Sequence, residues 1–280
     1  MIITPLRSEL ILNDKLVEVA ALEELSLTKK RALESHVRGI NRTIKTWLTK
    51  KSLLENRLIK FEKAHKSEID TYGSDTTPVS KTAVLIPAGM TGPYAHTLTT
   101  LLDLLKELNP TQHVTDFITI TDAVYKYAKS CGSAYDQPKI VHYILDRDVL
   151  KESFATELAQ IRLKVSALFK GPTHPRPACE VFHHRHNVVL SLSAAKDFMS
   201  AEDHLGELRD RFGIVEENLK KITDAIENNS DKWHADTVEA VYRLGRTITD
   251  VTDTYGILLH ELERVVTSLI RALETLLTKK

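Results

Sequence analysis

Residues 238–276 carry an alternation of three- and four-residue steps that suits a long α-helix. Val238, Val241, Gly245, Ile248, Thr252, Tyr255, Leu259, Leu262, Val266, Leu269, Leu273 and Leu276 follow it, and ten of the twelve are apolar. Such spacing lines one stripe of a helix with side chains that must leave water. A parallel row, Leu244, Val251, Leu258, Val265 and Ala272, widens the stripe. Three apolar positions per heptad suit a helix with several neighbours better than a two-stranded zipper. Asp236-Thr237-Val238-Glu239 reads as a capping box with Asp in place of Ser or Thr. Lys279 and Lys280 place positive charge where the helix dipole favours it.

Two further stretches repeat the rhythm. In the first long segment, about Asn13 to Tyr72, the seam is Leu33, Val37, Ile40, Ile44, Trp47, Lys51, Leu54, Leu58 and Phe61. Lys51 interrupts it and His65 follows it; each either sets register or reaches solvent at the seam's edge. The second is Leu205, Leu208, Phe212, Val215, Leu219, Ile222 and Ile226. Its phase extends back through Ala201, Phe198 and Ala194, so one helix is expected from about Ala178 to Asn228, with Asn228-Asn229-Ser230 as the turn into the last helix. A shorter helix is expected from about Asp148 to Lys170, through Leu150, Phe154, Leu158, Ile161, Val165 and Leu168. Residues 97–108 and 111–130 also read as helices, although Val114 to Thr121 fits a strand as well.

Prolines and glycines mark the breaks. Thr4-Pro5, Gly92-Pro93 and Asn109-Pro110 look like N-caps followed by proline at the first helical position. Residues 73–92 form a long connection in which Ala83 to Ile86 suggests a small strand. Asp136-Gln137-Pro138 is another break, and the three prolines of Gly171 to Pro177 cannot continue a helix. The expected fold is therefore all-α. It is an elongated helical bundle with coiled-coil-like long helices (1–72 and 148–280) and a smaller, loop-rich cap with short helices (73–147). A helix of about 45 residues would be about 68 Å long.

The chain is neutral overall, but its charge is segregated. Lys29 to Lys66 holds twelve Lys or Arg against three Glu, and Ser200 to Glu263 holds fifteen Asp or Glu against seven Lys or Arg. A basic helix and an acidic hairpin attract each other, within one chain or head-to-tail between copies. Nucleic acid is an unfavoured partner because the high pI of such binders is missing. The two cysteines are too few for a disulfide framework, and Met1 to Arg7 lacks a secretory signal's apolar run. Both point to a cytoplasmic setting, or to assembly inside a host cell for a viral protein. Thr82 to Leu102 is uncharged and long enough for a membrane span, but its prolines, glycines and five threonines favour a loop and a helix start.

The motifs of common chemistries are missing. There is no Gly-x-x-x-x-Gly-Lys-Ser/Thr loop, Gly-x-Gly-x-x-Gly turn, Gly-x-Ser-x-Gly elbow, His-Glu-x-x-His or Cys-x-x-Cys. Gly89-Met90-Thr91-Gly92 is a faint echo of a phosphate-binding turn without its lysine. Cys179, His183 and His186 stand at i, i+4 and i+7 and would share a helical face; with His174 they are the candidate metal ligands. The alternative is a pH-sensitive helix start whose histidines pair with carboxylates. Gly245 and Thr252 leave a gap in the last seam that either admits Trp47 or Trp233 or is simply tolerated.

The expectation is a non-enzymatic structural or assembly protein, a scaffold or virion component, without cofactor. It would pack through Leu33, Val37, Ile40, Ile44, Trp47, Leu54, Leu58, Leu205, Phe212, Leu219, Ile226, Ile248, Tyr255, Leu259, Leu262, Val266 and Leu269 against protein partners, as a homo-oligomer or in a larger assembly. The alternative is a membrane-acting bundle that binds anionic lipid or inserts residues 82–102. A metal-dependent enzyme centred on the histidines is a third reading.

Overall fold

The computed structural model describes residues 39, 42, 46, 50–72, 75–79, 81–129, 137–201, 205–228 and 233–278. The seam residues Leu33, Val37, Ile40, Ile44 and Trp47 lie outside them. The all-α expectation holds. A helix over 50–64 (α1) continues through His65 into α2, Lys66–Tyr72; the amides of His65 and Ile69 bond to carbonyls four residues back. Then come α3 (Tyr94–Leu108), α4 (Pro110–Lys129), α5 (Gln137–Leu145), a 3-10 turn (Asp148–Leu150) and α6 (Glu152–Ala167). The short α7 (Ala178–Val181), α8 (His186–Ala201), α9 (Leu205–Asn228) and α10 (Ala235–Thr278) complete the order.

The only strands among the described residues are β1 (Ala83–Val84) and β2 (Arg176–Pro177), which pair antiparallel with Ala83 opposite Pro177. β1 falls within the run expected to form a small strand. Pro177, which cannot donate to a ladder, sits at the end of a two-residue pair where little is lost.

α10 is the axis of the bundle. Its 44 residues span about 66 Å, and it packs against α3, α5, α6, α8 and β1. Both rows read from the sequence are buried: Ile248, Tyr255, Leu259, Leu262, Val266 and Leu269 on one, Leu244, Val251, Leu258, Val265 and Ala272 on the other. A stripe that wide needs several neighbours, and it has them. α9 lies along α4, and α3 lies against α8. α1 contributes Leu54, Leu58 and Phe61 to the same contiguous core, so the segments 50–72, 73–147 and 148–280 share one interior.

Two sequence expectations about helix boundaries are corrected. The single helix expected from Ala178 to Asn228 is broken between α7 and α8. The break is made by His183, whose φ is 57°. There the backbone is engaged by the passing segment 75–79. The amide of Val79 bonds to the carbonyl of His183, that of Arg185 to Thr77, and that of His186 to Asp75. Groups that a continuous helix would use internally are spent on this strap. The capping box at Asp236 is not formed either. α10 starts at Ala235, with Asp236 inside its first turn. Its start is fixed by Gln137 of α5, whose buried Oε1 accepts from the His234 amide (2.6 Å) and the Thr237 hydroxyl (3.0 Å).

The Asn109-Pro110 expectation is met economically. Asn109, at φ 43°, ends α3 in the left-handed region and directly precedes Pro110, the first residue of α4. Asparagine tolerates that conformation better than most residues. Val114 to Thr121 is helical. Its threonines satisfy their hydroxyls on the carbonyl four residues back, as in Thr115 to Thr111 (2.8 Å) and Thr121 to Phe117 (2.7 Å).

Charge complementarity operates inside the chain. Lys50 meets Glu263 and Arg57 meets Glu274, each at 2.9 Å, joining α1 to α10. Lys196 of α8 pairs with Glu62. Arg162 of α6 reaches Thr254 and the Asp250 carbonyl of α10. These pairs are partly exposed, so each adds only ~0–1 kcal/mol. Their main effect is to fix which helices are neighbours.

Candidate functional site

The histidine segment was the sequence's most chemical feature, and its geometry follows from the break at His183. Cys179 lies in α7, His183 in the left-handed corner and His186 at the first turn of α8, so the three do not share the face of one helix. Among the described residues no group of three His, Cys, Asp or Glu side chains is placed to hold a metal ion. Instead His184 stacks on His186, ring centroids 5.8 Å apart. Arg185 bonds to Asp75 at 2.9 Å and lies over the Tyr72 ring. Hydrogen bonds from Thr77, and then from Arg185, hold the Asp75 carboxyl below the usual range. The segment thus works as a clasp between 72–79 and the start of α8.

The seams are chiefly interior. Leu54, Leu58, Phe212, Leu219, Ile248, Tyr255, Leu259, Leu262, Val266 and Leu269 are buried within the chain, and Ile226 is half-buried. Leu205 opens α9. Aliphatic stripes read from sequence cannot tell an internal neighbour from an external one, and here the internal neighbours take them. Trp233 packs edge-on against Tyr127 of α4. Thr252 turns its hydroxyl to the Ile248 carbonyl at 2.7 Å.

Residues 82–102 belong to the core rather than to an exposed tongue. Val84, Met90, Tyr94, Leu98 and Leu101 are buried. Tyr94, stacked on Phe182, shares a 3.0 Å hydrogen bond with Ser268 of α10, and both hydroxyls lie within reach of the Leu85 carbonyl. Burial pushes the Tyr94 hydroxyl above the ordinary phenol range, so it stays protonated. No described helix is long and apolar enough to cross a membrane.

The turn before α3 is tightly packed. Gly89 has φ +76°, and a Cβ there would lie 2.2 Å from the Phe169 carbonyl oxygen. Its own carbonyl accepts from Gly171 at 2.6 Å. Arg176 sits beside the turn, Nη1 3.4 Å from the carbonyls of Met90 and Thr91 and Nε 3.0 Å from Glu180. The turn therefore presents carbonyls to Arg176 and Gly171, unlike a phosphate loop, which presents amides. α3 begins at Tyr94, one residue later than the Gly92-Pro93 reading, and Pro93 gives it no side-chain cap.

Sequence reasoning missed Gln137, Ser268 and Arg176, because each acts on a partner far away in sequence. No known protein family, curated protein or solved structure matches this chain.

Proposed function

We propose that this chain is a non-enzymatic structural or assembly protein, a helical building block that packs into a larger protein complex such as a scaffold or a virion. The observation that supports the reading is the outer face of α6. Ala155, Ala159, Leu163 and Ala167 stand four residues apart and all face solvent, Leu163 at 67 % exposure. Such a row is the ridge that helices interdigitate when they pack at close range. Lys164, beside the row, is paired with Glu107 of α3 at 2.7 Å.

Multi-angle light scattering with small-angle X-ray scattering on the full chain tests it. The expected native mass is a multiple of 31.6 kDa, falling toward the monomer in Leu163→Glu with the helical signal unchanged. A wild-type chain that stays monomeric at every concentration refutes the reading.

A further inference from the structure

We propose that α6 pairs with α6 of a second copy of this chain, antiparallel and about a twofold axis. The inference rests on the assembly reading above and names the occupant of that face. Within α6 only Phe154, Leu158, Ile161 and Val165 are buried, one narrow stripe turned to the core. Glu152, Glu157, Lys164 and Ser166 are exposed along with the row from Ala155 to Ala167.

The charge on this surface is sorted by end. Glu152 and Glu157 stand in the N-terminal half of α6, Lys164 in the C-terminal half, and exposed Lys170 just past the last turn. A parallel pair of α6 helices would set each charge against its own copy, Glu against Glu and Lys against Lys. An antiparallel pair sets opposite charges together, and such complementarity fixes orientation more than strength.

The register follows from the row itself. With the axis level with Ile161, Ala155 stands opposite Ala167 of the second copy and Leu163 opposite its Ala159. Leu163, 67 % exposed, thus meets a small residue at both symmetric positions, the large-on-small alternation by which facing helices interdigitate. The same register places Glu152 opposite Lys170 of the second copy. Lys164 already pairs with Glu107, so Glu152 with Lys170 is the ion pair that association adds. Neither forms an ion pair among the described residues. They lie at opposite ends of a sixteen-residue helix, about 24 Å long, so they cannot meet within one chain. The contact is isologous and closes as a dimer. One helix pair is small beside the ~800 Å² per partner of a standard interface, so the dimer should depend on concentration.

Sedimentation equilibrium of the full chain over a range of concentrations is the test. Wild type is expected to pass from one chain to two. Glu152→Lys or Lys170→Glu alone turns two attractions into repulsions and should weaken the dimer about tenfold. Both changes in one chain should restore the wild-type affinity, and ~1 M salt should erase the differences. Both sites are exposed, so the helical signal should stay unchanged. A second variant reports the register. Ala155→Cys with Ala167→Cys, in a chain whose Cys131 and Cys179 are changed to Ser, should give a covalent dimer on oxidation, because the two new thiols of one helix are about 18 Å apart and cannot bridge. A chain that self-associates but shows equal affinity in the single reversals, a double reversal no tighter than either single one, or no covalent dimer overturns the antiparallel pairing and leaves the assembly reading standing. A wild-type chain that is monomeric at every concentration overturns both.

Discussion

Replacing Gly89 and Gly213 by alanine makes the same chemical change in two backbone settings, and the structure gives the two opposite signs. At Gly89 the backbone is left-handed, φ +76°, and the new Cβ would stand 2.2 Å from the Phe169 carbonyl oxygen and 2.9 Å from its carbon. An L-residue in that conformation costs ~1–2 kcal/mol. Relief of the overlap requires the 89–91 turn and the 169–171 segment to part, which loosens the 2.6 Å bond from Gly171 to Gly89, worth about 1 kcal/mol. The total is about 2–3 kcal/mol of destabilisation, or a fall of about 4–12 °C in Tm for a chain of this size. Gly213 lies inside α9, and a Cβ there meets nothing within 4 Å. Alanine should gain about 1 kcal/mol of helix propensity, a rise of about 2–4 °C. Thermal melts followed at 222 nm measure both. A Gly89→Ala chain as stable as wild type, or a Gly213→Ala chain less stable, would show that the turn or the helix is placed wrongly.

Leu262, fully buried at the middle of α10, should lose about 3–5 kcal/mol on change to Ala, and Leu262→Asp should not fold because a buried unpaired charge is strongly unfavourable; an unchanged urea midpoint in Leu262→Ala would refute the central place of that helix. His113 gives a pH dependence. Burial lowers its pKa below 6.5 while Asp116 and Glu157 pull it upward, and its ring meets Phe154 edge-on with Nδ1 unpartnered. The neutral ring is the folded form, so this contribution is complete above about pH 6.5 and is lost as pH falls through the lowered value. His113→Leu should flatten the decline of Tm between pH 7.5 and 5.5, and parallel slopes in the two proteins would discount the histidine.

The parts of this fold legible in the sequence are those set by local periodicity. α10 is the clearest, because two rows of aliphatic residues in one phase leave a helix no other way to bury them. α4 was ambiguous since threonine and β-branched residues suit strands; the helix accommodates Thr115, Thr119 and Thr121 because each places its hydroxyl on a carbonyl one turn back. The break at His183 was not legible, since Val181, Phe182 and Val188 keep an apolar rhythm across it, and the strap that bends the chain comes from residues about a hundred positions earlier. The start of α10 was misread for a similar reason: Asp236 has the right local spacing, but Gln137 supplies the acceptor from another helix. That the buried Thr97 hydroxyl has no hydrogen-bond partner is likewise a fact of three dimensions.

The position of α10 at the centre of the bundle has a consequence for synthesis. α3, α5, α6 and α8 all rest on α10, yet the ribosome makes it after them. From Leu108 to Thr278 is a delay of roughly 10–30 s at ~5–20 residues per second. During that interval the faces of α3, α5, α6 and α8 that rest on α10 have no surface to cover them. Cooperative closure waits for α10, so a nascent chain halted before residue 235 should present apolar surface to chaperones, and a chain that carries residues 235–278 should withdraw it.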